Sequence, residues 1–244
     1  MIKKQILLNK YKMKKILVLA VIIVFSGCAE LQNVVKNLPN GGLTQEQIGN
    51  GLRQALDNGI ENQVSKLTTK DGFYRNELVK ILLPKELQNV DKALRRIGLS
   101  NLADEGIKVL NRAAEDAVKT ATPIFVNAVK EITFNDAKNI LLGEQNAATN
   151  FLQSKTTNKL YQSFSPVIQT SFEKVGADRI WSNLISRYNS IPFVTQVNPN
   201  LTEYVTNQAL KGVFTMIEIE EKGIREKIGL RDTPLLRKVF ALQD

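Results

Sequence analysis

The chain has 244 residues, a formal net charge of +9 and a pI near 9.5, with one cysteine and no histidine. Without histidine the sequence lacks the commonest general base, Ser-His and Cys-His nucleophile pairs and most zinc sites, so catalysis would depend on carboxylates, lysine or tyrosine. The single thiol also excludes a disulfide within the chain.

The positive charge is concentrated at the start of the chain. Six of the 33 basic residues and none of the 24 acidic residues precede Cys28, which leaves 27 basic and 24 acidic residues in the remainder. This near balance does not predict the basic face that a nucleic-acid-binding domain needs. We therefore expect no nucleic-acid partner, and no sequence motif indicates a cofactor or a metal.

The stretch from Met13 to Cys28 has the order of a bacterial lipoprotein signal. Lysines are followed by ten apolar residues, 16–25, then by two small residues and the cysteine. This order is typical of a secretory signal with its cleavage site, and ten helical residues cover only about 15 Å of a hydrocarbon core of about 30 Å. The pattern predicts cleavage before Cys28 and acylation of its sulfur. A start at Met13 would leave a signal of ordinary length, so Met1 and Met13 are both candidate first residues.

These features divide the chain into a lipoprotein signal peptide over 1–27, a lipidated tether over 28–43 and a single all-α domain over 44–244. If the tether is flexible, its root-mean-square reach is about 20 Å. Ala29 follows the predicted lipidation site, whereas aspartate at that position commonly signals inner-membrane retention in Gram-negative bacteria. We therefore expect the protein to be anchored to the outer membrane and to face the periplasm.

The first predicted helix of the domain begins after a capping box in which Thr44 is followed three residues later by Gln47, and it extends to Leu67. Small residues recur along it at Gly51, Ala55 and Gly59, which indicates that something approaches this face closely. We expect another helix of the same domain to pack there, and the alternative is self-association through this small-residue stripe.

Apolar periodicity and capping residues predict further helices along the rest of the chain. Pro166 should kink or break one of them, because proline lacks the N–H that the helix needs. The sequence thus predicts an all-α globule of nine to ten helices. After the first, these helices cover 85–97, 100–118, 122–132, 133–143, 144–153, 156–175, 177–189, 202–227 and a terminal segment from Thr233.

Two groups of residues are candidate sites. Small polar side chains between 133 and 158 would surround a polar pocket, although several of them are also suited to capping helices. Aromatic side chains further along would line a groove, although they would equally suit a core. The candidate pocket residues are Asp136, Asn146, Thr149, Thr156 and Thr157, and the candidate groove residues are Trp181, Tyr188, Phe193 and Tyr204.

Glutamates at 218, 220 and 221 are a further candidate cluster, for acid-base chemistry or for a cation. Glu218 with Lys222 and Glu221 with Arg225 are spaced by four residues, however, which is typical of ion pairs on a solvated helix face. We therefore predict an exposed face here.

Short motifs occur in a fixed order along the domain, at 71–73, 83–84, 93–99, 111–115, 134–137, 147–149, 188–193, 204–206 and 209–214. This ordered set resembles the DUF4197 family of bacterial envelope proteins, over a region from about Leu43 to Leu242. The resemblance implies a helical domain behind a signal or lipoprotein peptide in Gram-negative bacteria, and it implies no established activity.

Three functions are consistent with the sequence. The first is a non-enzymatic binding or interaction module, anchored by lipid, whose partner is an envelope protein, lipid or polymer. The second is a histidine-free hydrolase that acts on an envelope polymer through carboxylates, and the third is a self-associating structural lipoprotein.

Overall fold

The computed structural model describes residues 42–85, 88, 92, 95–96, 98 and 100–244. The chain divides into two units, Met1–Thr44 and Gln45–Asp244, and every described helix lies in the second. Cys28, the signal peptide and nearly all of the predicted tether lie outside the described residues. The predictions about lipidation therefore remain predictions.

The described residues form eight α-helices and a short 3-10 turn, Ile228–Leu230, and no β-strand occurs among them. The all-α prediction is confirmed for this part of the chain, although nine to ten helices were expected. The helices are α1 (Gln45–Thr68), α2 (Ser100–Val118), α3 (Ala121–Lys130), α4 (Phe134–Leu141), α5 (Ala147–Val175), α6 (Ala177–Asn189), α7 (Leu201–Glu226) and α8 (Pro234–Phe240).

The count differs partly because α5 is one helix where the sequence predicted two, and it continues through Pro166. The proline removes one backbone hydrogen bond, but a continuous row of apolar side chains holds both halves of the helix in the core. These side chains are Leu152, Leu160, Phe164, Ile168 and Phe172, all fully buried. The predicted helix over 85–97 lies mostly outside the described residues.

The long helices α5 and α7 pack against each other at the centre of the domain, and α1, α2 and α6 also contact α7. Phe214 of α7 meets Phe125 of α3 edge to face, with ring centroids 5.9 Å apart. Such a pair contributes about 0.5–1.5 kcal/mol beyond the area it buries. The α5–α7 pair is therefore the frame on which the other helices are placed.

The small-residue stripe of α1 is covered from within the same domain, as predicted. A Cβ atom at Gly51 would lie 2.6 Å from a methyl group of Val239 in α8, and one at Gly59 would lie 3.3 Å from Cγ of Glu220 in α7. Glycine is needed at residue 51 because α8 leaves no room for a side chain. The stripe is an internal helix contact.

Several predicted caps are present. Thr133 and Asp136 form a reciprocal capping box at α4, and the Thr233 hydroxyl accepts from the backbone N–H of Leu236 at α8. Helix α7 is capped by Asn200, whose side chain accepts from the backbone N–H of Glu203, so the start predicted at residue 202 is late by two residues. Asparagine is a better N-cap residue than threonine, and the sequence offers both.

Candidate functional site

The five candidate pocket residues do not converge on one site. Asp136 is part of the exposed capping box of α4, and Asn146 occupies the N-cap position of α5. Thr156 is fully buried within α5, where its hydroxyl donates to the carbonyl of Leu152. A capping role for Thr156 is therefore wrong, because the helix that it would begin is continuous with the preceding one.

The other two, Thr149 and Thr157, line a cleft between α5 and α7 with a volume of about 370 Å³. Side-chain amides and hydroxyls dominate its polar lining, together with Lys211 and Glu218. Apolar side chains form its floor. The lining residues are Thr149, Asn150, Gln153 and Thr157 from α5, and Asn207, Leu210, Lys211, Phe214, Thr215 and Glu218 from α7.

The carboxylate of Glu218 accepts from the ammonium group of Lys222 at 2.6 Å, with both side chains partly exposed. Interaction with Glu218 raises the pKa of Lys222. This ion pair lies on a solvated face, as predicted from its spacing. The cleft therefore carries one carboxylate, and that carboxylate already has a cationic partner.

The matching pair Glu221 and Arg225 is buried, so the prediction of an exposed face is wrong for it. One Glu221 oxygen accepts from the backbone N–H of Ala148 at 2.9 Å, and the other accepts from the N–H and hydroxyl of Thr149 at 2.8 Å. These are N–H groups of the first turn of α5, which lack partners within their own helix. Glu221 thus caps α5 from the last two turns of α7.

Arg225 completes this connection from the other side. Its guanidinium group donates to Glu221 at 2.8 Å and to the carbonyls of Ile140 and Leu141 at 2.8 and 3.1 Å, at the end of α4. The pair therefore joins the end of α4 and the start of α5 to α7. We call this arrangement the Glu221 joint.

A second buried carboxylate, Glu115 of α2, holds the turns that follow α1. Its oxygens accept from the backbone N–H groups of Asp71 and Phe73 at 3.3 and 3.1 Å, and Arg112 donates to Glu115 at 2.6 Å and to Asp71 at 2.7 Å. Phe73 is fully buried. We call this arrangement the Glu115 joint, and it brings together two of the motif segments, 71–73 and 111–115.

Two further buried polar residues were not singled out from the sequence. Asn111 is fully buried and exchanges hydrogen bonds with the backbone N–H and carbonyl of Ile81. Arg231, only 2% exposed, donates to two carbonyls at the end of α7 and to the carboxylate of Asp244. Their buried polar groups are used to hold irregular segments against helices.

The four candidate aromatic residues differ in their contacts and in their exposure to solvent. Trp181 is buried and stacks on Tyr204 with ring centroids 6.3 Å apart, while the Tyr204 hydroxyl donates to the carbonyl of Leu82 at 2.6 Å. Tyr188 is half-buried, and Phe193 is fully exposed. Trp181 and Tyr204 are therefore packing residues, and Phe193 is open to solvent.

A smaller polar cleft of about 290 Å³ lies where α5, α6 and the start of α7 meet, and it includes Asp178. Partial burial is the main cause of a raised pKa for Asp178, and a weak hydrogen bond from Thr202 opposes it. Asp178 is the one carboxylate in the lining of this cleft, and a general acid and base pair needs two such groups.

The described residues contain no group of three or more potential acidic or sulfur ligands for a metal ion. Among these same residues, no helix combines the length and the hydropathy that crossing a membrane requires. The polar cleft between α5 and α7, which we call the α5–α7 cleft, is the largest concave site described above.

Comparison with known proteins identifies one family. A search of curated proteins and a search of solved structures each found no match. The family model described as a protein of unknown function, DUF4197, matches residues 42–241. This range contains both joints and the α5–α7 cleft, and it covers most of the sequence. The chain therefore belongs to the DUF4197 family.

Proposed function

We propose that the protein is a non-enzymatic, lipid-anchored binding module of the bacterial envelope, and that the α5–α7 cleft is its binding site. The observation that carries this proposal is the lining of the cleft, where amide and hydroxyl side chains of two adjacent helices face a common space. Its volume of about 370 Å³ falls within the range of small-molecule sites, about 300–1,000 Å³.

The lining favours a neutral ligand that both donates and accepts hydrogen bonds. Gln153 and Asn207 are exposed and offer a donor and an acceptor each, from opposite sides of the cleft. Lys211 and Glu218 contribute one charge of each sign, so the cleft selects strongly for neither an anion nor a cation. N-acetylated sugar chains carry both amide and hydroxyl groups and fit this pattern.

A carboxylate-based hydrolase is the weaker alternative. Such an enzyme needs two carboxyl groups about 5–9.5 Å apart across the bond that is cleaved. The cleft lining contains only Glu218, which is paired with Lys222. The nearby buried Glu221 is occupied by backbone N–H groups and Arg225.

A structural lipoprotein that self-associates through the small-residue stripe is a second alternative, and it is also weaker than the binding module. Gly51 faces Val239 of α8 and Gly59 faces Glu220 of α7, so the stripe has partners within the domain. A second copy would have to displace α8 to reach it.

The binding site is tested by calorimetric titration of the mature, detergent-solubilised protein with the tetramer of N-acetylglucosamine as the probe. We expect saturable binding, weakened about tenfold by the double variant Gln153→Ala and Asn207→Ala, because each lost neutral hydrogen bond costs about 0.5–1.5 kcal/mol. Asn158→Ala is the matched control, since Asn158 is an exposed α5 residue outside the cleft lining.

Two results would overturn this proposal. Loss of binding in Asn158→Ala as large as in the double variant would remove the site from the cleft. Shortened sugar chains after incubation, detected by mass spectrometry, would establish hydrolysis and the enzymatic alternative.

The anchor and location form the second part of the proposal. We propose acylation at Cys28, sorting to the outer membrane and a periplasmic orientation, on the basis of the sequence before and after the cysteine. Growth with an alkyne analogue of palmitate should label the protein but not Cys28→Ser. Ala29→Asp should transfer it to the inner-membrane fraction. Cleavage by protease added to intact cells would contradict the periplasmic orientation.

A further inference from the structure

Helix α6 and the loop after it present several large apolar side chains to solvent. Ile180 is 68% exposed, Ile191 is 52% exposed and the side chain of Phe193 is completely exposed. Helical geometry places Ile180 and Arg187 on one flank of α6, because they are separated by seven residues, and Ile191 follows the end of the helix. The opposite flank, which includes Trp181 and Ile185, is buried in the domain.

Hydrogen bonds hold the loop that presents Phe193. The side-chain amide of Asn189 donates to the carbonyl of Val197 at 2.8 Å and accepts from its N–H at 2.9 Å, which closes the loop at its base. Phe193 has a φ of 66°, an unfavourable value for a bulky side chain. The closed loop thus holds the Phe193 ring in solvent, although the positive φ of this residue costs backbone strain energy.

The exposed charges of α6 itself are positive. Arg179 and Arg187 are exposed on α6, and Lys174 is exposed at the end of α5. Asp178, the acidic residue of α6, is partly buried and accepts a weak hydrogen bond from Thr202. Glu173 of α5 and Glu203 of α7 keep their negative charges, because their partners Gln169 and Asn198 are neutral. Tyr188 is half-buried beside the flank and supplies an aromatic ring with a polar end.

From this combination we propose that the surface formed by Ile180, Arg187, Ile191 and Phe193 binds the surface of an anionic phospholipid bilayer. Apolar side chains beside arginines are typical of helices that lie in the membrane interface, about 5–10 Å into the headgroup and acyl boundary. Each arginine near an anionic surface adds to the attraction. The surface is called the α6 membrane face below.

This inference rests partly on the proposed lipid anchor, which makes a bilayer available. Sixteen residues lie between Cys28 and Gln45, so a lipid on Cys28 would keep the start of α1 within about 60 Å of the membrane. At that range, weak binding by one face becomes effective because the second contact is intramolecular.

The test uses the mature protein with Phe193→Cys, labelled with a nitroxide and reconstituted into vesicles of zwitterionic and anionic phospholipids. Collision with oxygen and with a water-soluble nickel complex reports the depth of the label. Ile228→Cys is the matched control, because Ile228 is 65% exposed and follows the far end of α7, a helix about 39 Å long.

We expect the label at residue 193 to become less accessible to nickel and more accessible to oxygen in anionic vesicles, while the label at residue 228 stays accessible to nickel. Arg187→Gln should weaken the bilayer contact about fivefold. Equal nickel accessibility at residues 193 and 228 in anionic vesicles would overturn the proposal.

The labelling also separates this inference from the anchor. One nitroxide per chain is expected if Cys28 is acylated, and two are expected if its thiol is free. In the latter case the anchor proposal fails. The α6 membrane face is then tested alone with the double variant Cys28→Ser and Phe193→Cys, labelled and mixed with the same vesicles. The control is Ile228→Cys in the same Cys28→Ser background.

Discussion

The Glu221 and Glu115 joints contain the same groups but differ in their exposure to solvent. In each, a buried glutamate accepts from two backbone N–H groups and from an arginine. The side chain of Arg225 is 4% exposed, whereas that of Arg112 is 29% exposed and also contacts Asp71. The first joint is sealed within the core, and the second is open on one side.

This difference predicts how each joint responds to the loss of its carboxylate. A buried arginine without a counter-ion retains its full desolvation penalty, whereas one near the surface regains water and keeps Asp71 as a partner. The two joints therefore separate the effect of hydrogen bonding from the effect of charge burial.

The largest effect is expected for Glu221→Gln. The amide keeps the shape but removes the charge from beside Arg225 and one acceptor from the start of α5, so the free energy of unfolding should fall by about 3–5 kcal/mol. Urea denaturation followed by circular dichroism measures this. Glu226→Gln, at an exposed position of the same helix, is the control.

A smaller loss is expected for Glu115→Gln, about 1–3 kcal/mol, because Arg112 retains Asp71 and access to water. The same denaturation measurement applies. If Glu115→Gln lowers the free energy of unfolding as much as Glu221→Gln does, the exposure of the arginine does not explain the difference expected between the two joints.

Helix packing offers a contrast that involves no charge. Gly51→Ala should lower stability by about 1–3 kcal/mol, because the new methyl group collides with Val239. Gly106→Ala in α2, where nothing lies within 4 Å, should raise stability by up to about 1 kcal/mol through helix propensity. Thermal unfolding measures the change in melting temperature of each variant, which should fall for Gly51→Ala and rise for Gly106→Ala. A stable Gly51→Ala protein would mean that α8 does not pack closely on α1.

The smallest effects concern two outer carboxylates, and they have opposite signs. Hydrogen bonds from Thr133 lower the pKa of Asp136, so its stabilising contribution is present above the unfolded pKa and is lost as pH falls through the folded value. Burial raises the pKa of Asp178, so ionised Asp178 disfavours folding at neutral pH.

Asp136→Asn should therefore lower the melting temperature at pH 7, and Asp178→Asn should raise it, and both differences should shrink as the pH approaches 3. Melting curves from pH 3 to pH 7 measure this. A difference of the same sign in both variants would show that the hydrogen bonds and burial described here do not control these groups.

Much of the helical architecture follows from local patterns in the sequence. Thr133 and Thr233 cap helices because each hydroxyl lies three residues before a backbone N–H that has no partner within the helix. The resulting hydrogen bond depends on local geometry. Continuity through Pro166 does not follow locally, because it depends on the rows of apolar contacts that the helix makes with its neighbours.

The joints show the limit of spacing arguments. Glu218 with Lys222 and Glu221 with Arg225 have identical spacing, yet the first pair is partly exposed and the second is buried. Burial depends on which face of α7 meets α4 and α5, and an ion-pair pattern alone does not contain that information. The sequence pointed to the cleft only through Thr149 and Thr157, because the α7 side of the cleft comes from residues at least fifty positions away.

Nuclear magnetic resonance can map the binding site residue by residue, with the N-acetylglucosamine tetramer titrated into the isotope-labelled mature protein in detergent. We expect concentration-dependent shifts in the side-chain amides of Asn150, Gln153 and Asn207, with the amide of Asn158 unchanged. Shifts confined to residues outside the α5–α7 cleft, or no shifts at saturating probe, would contradict the proposed binding site.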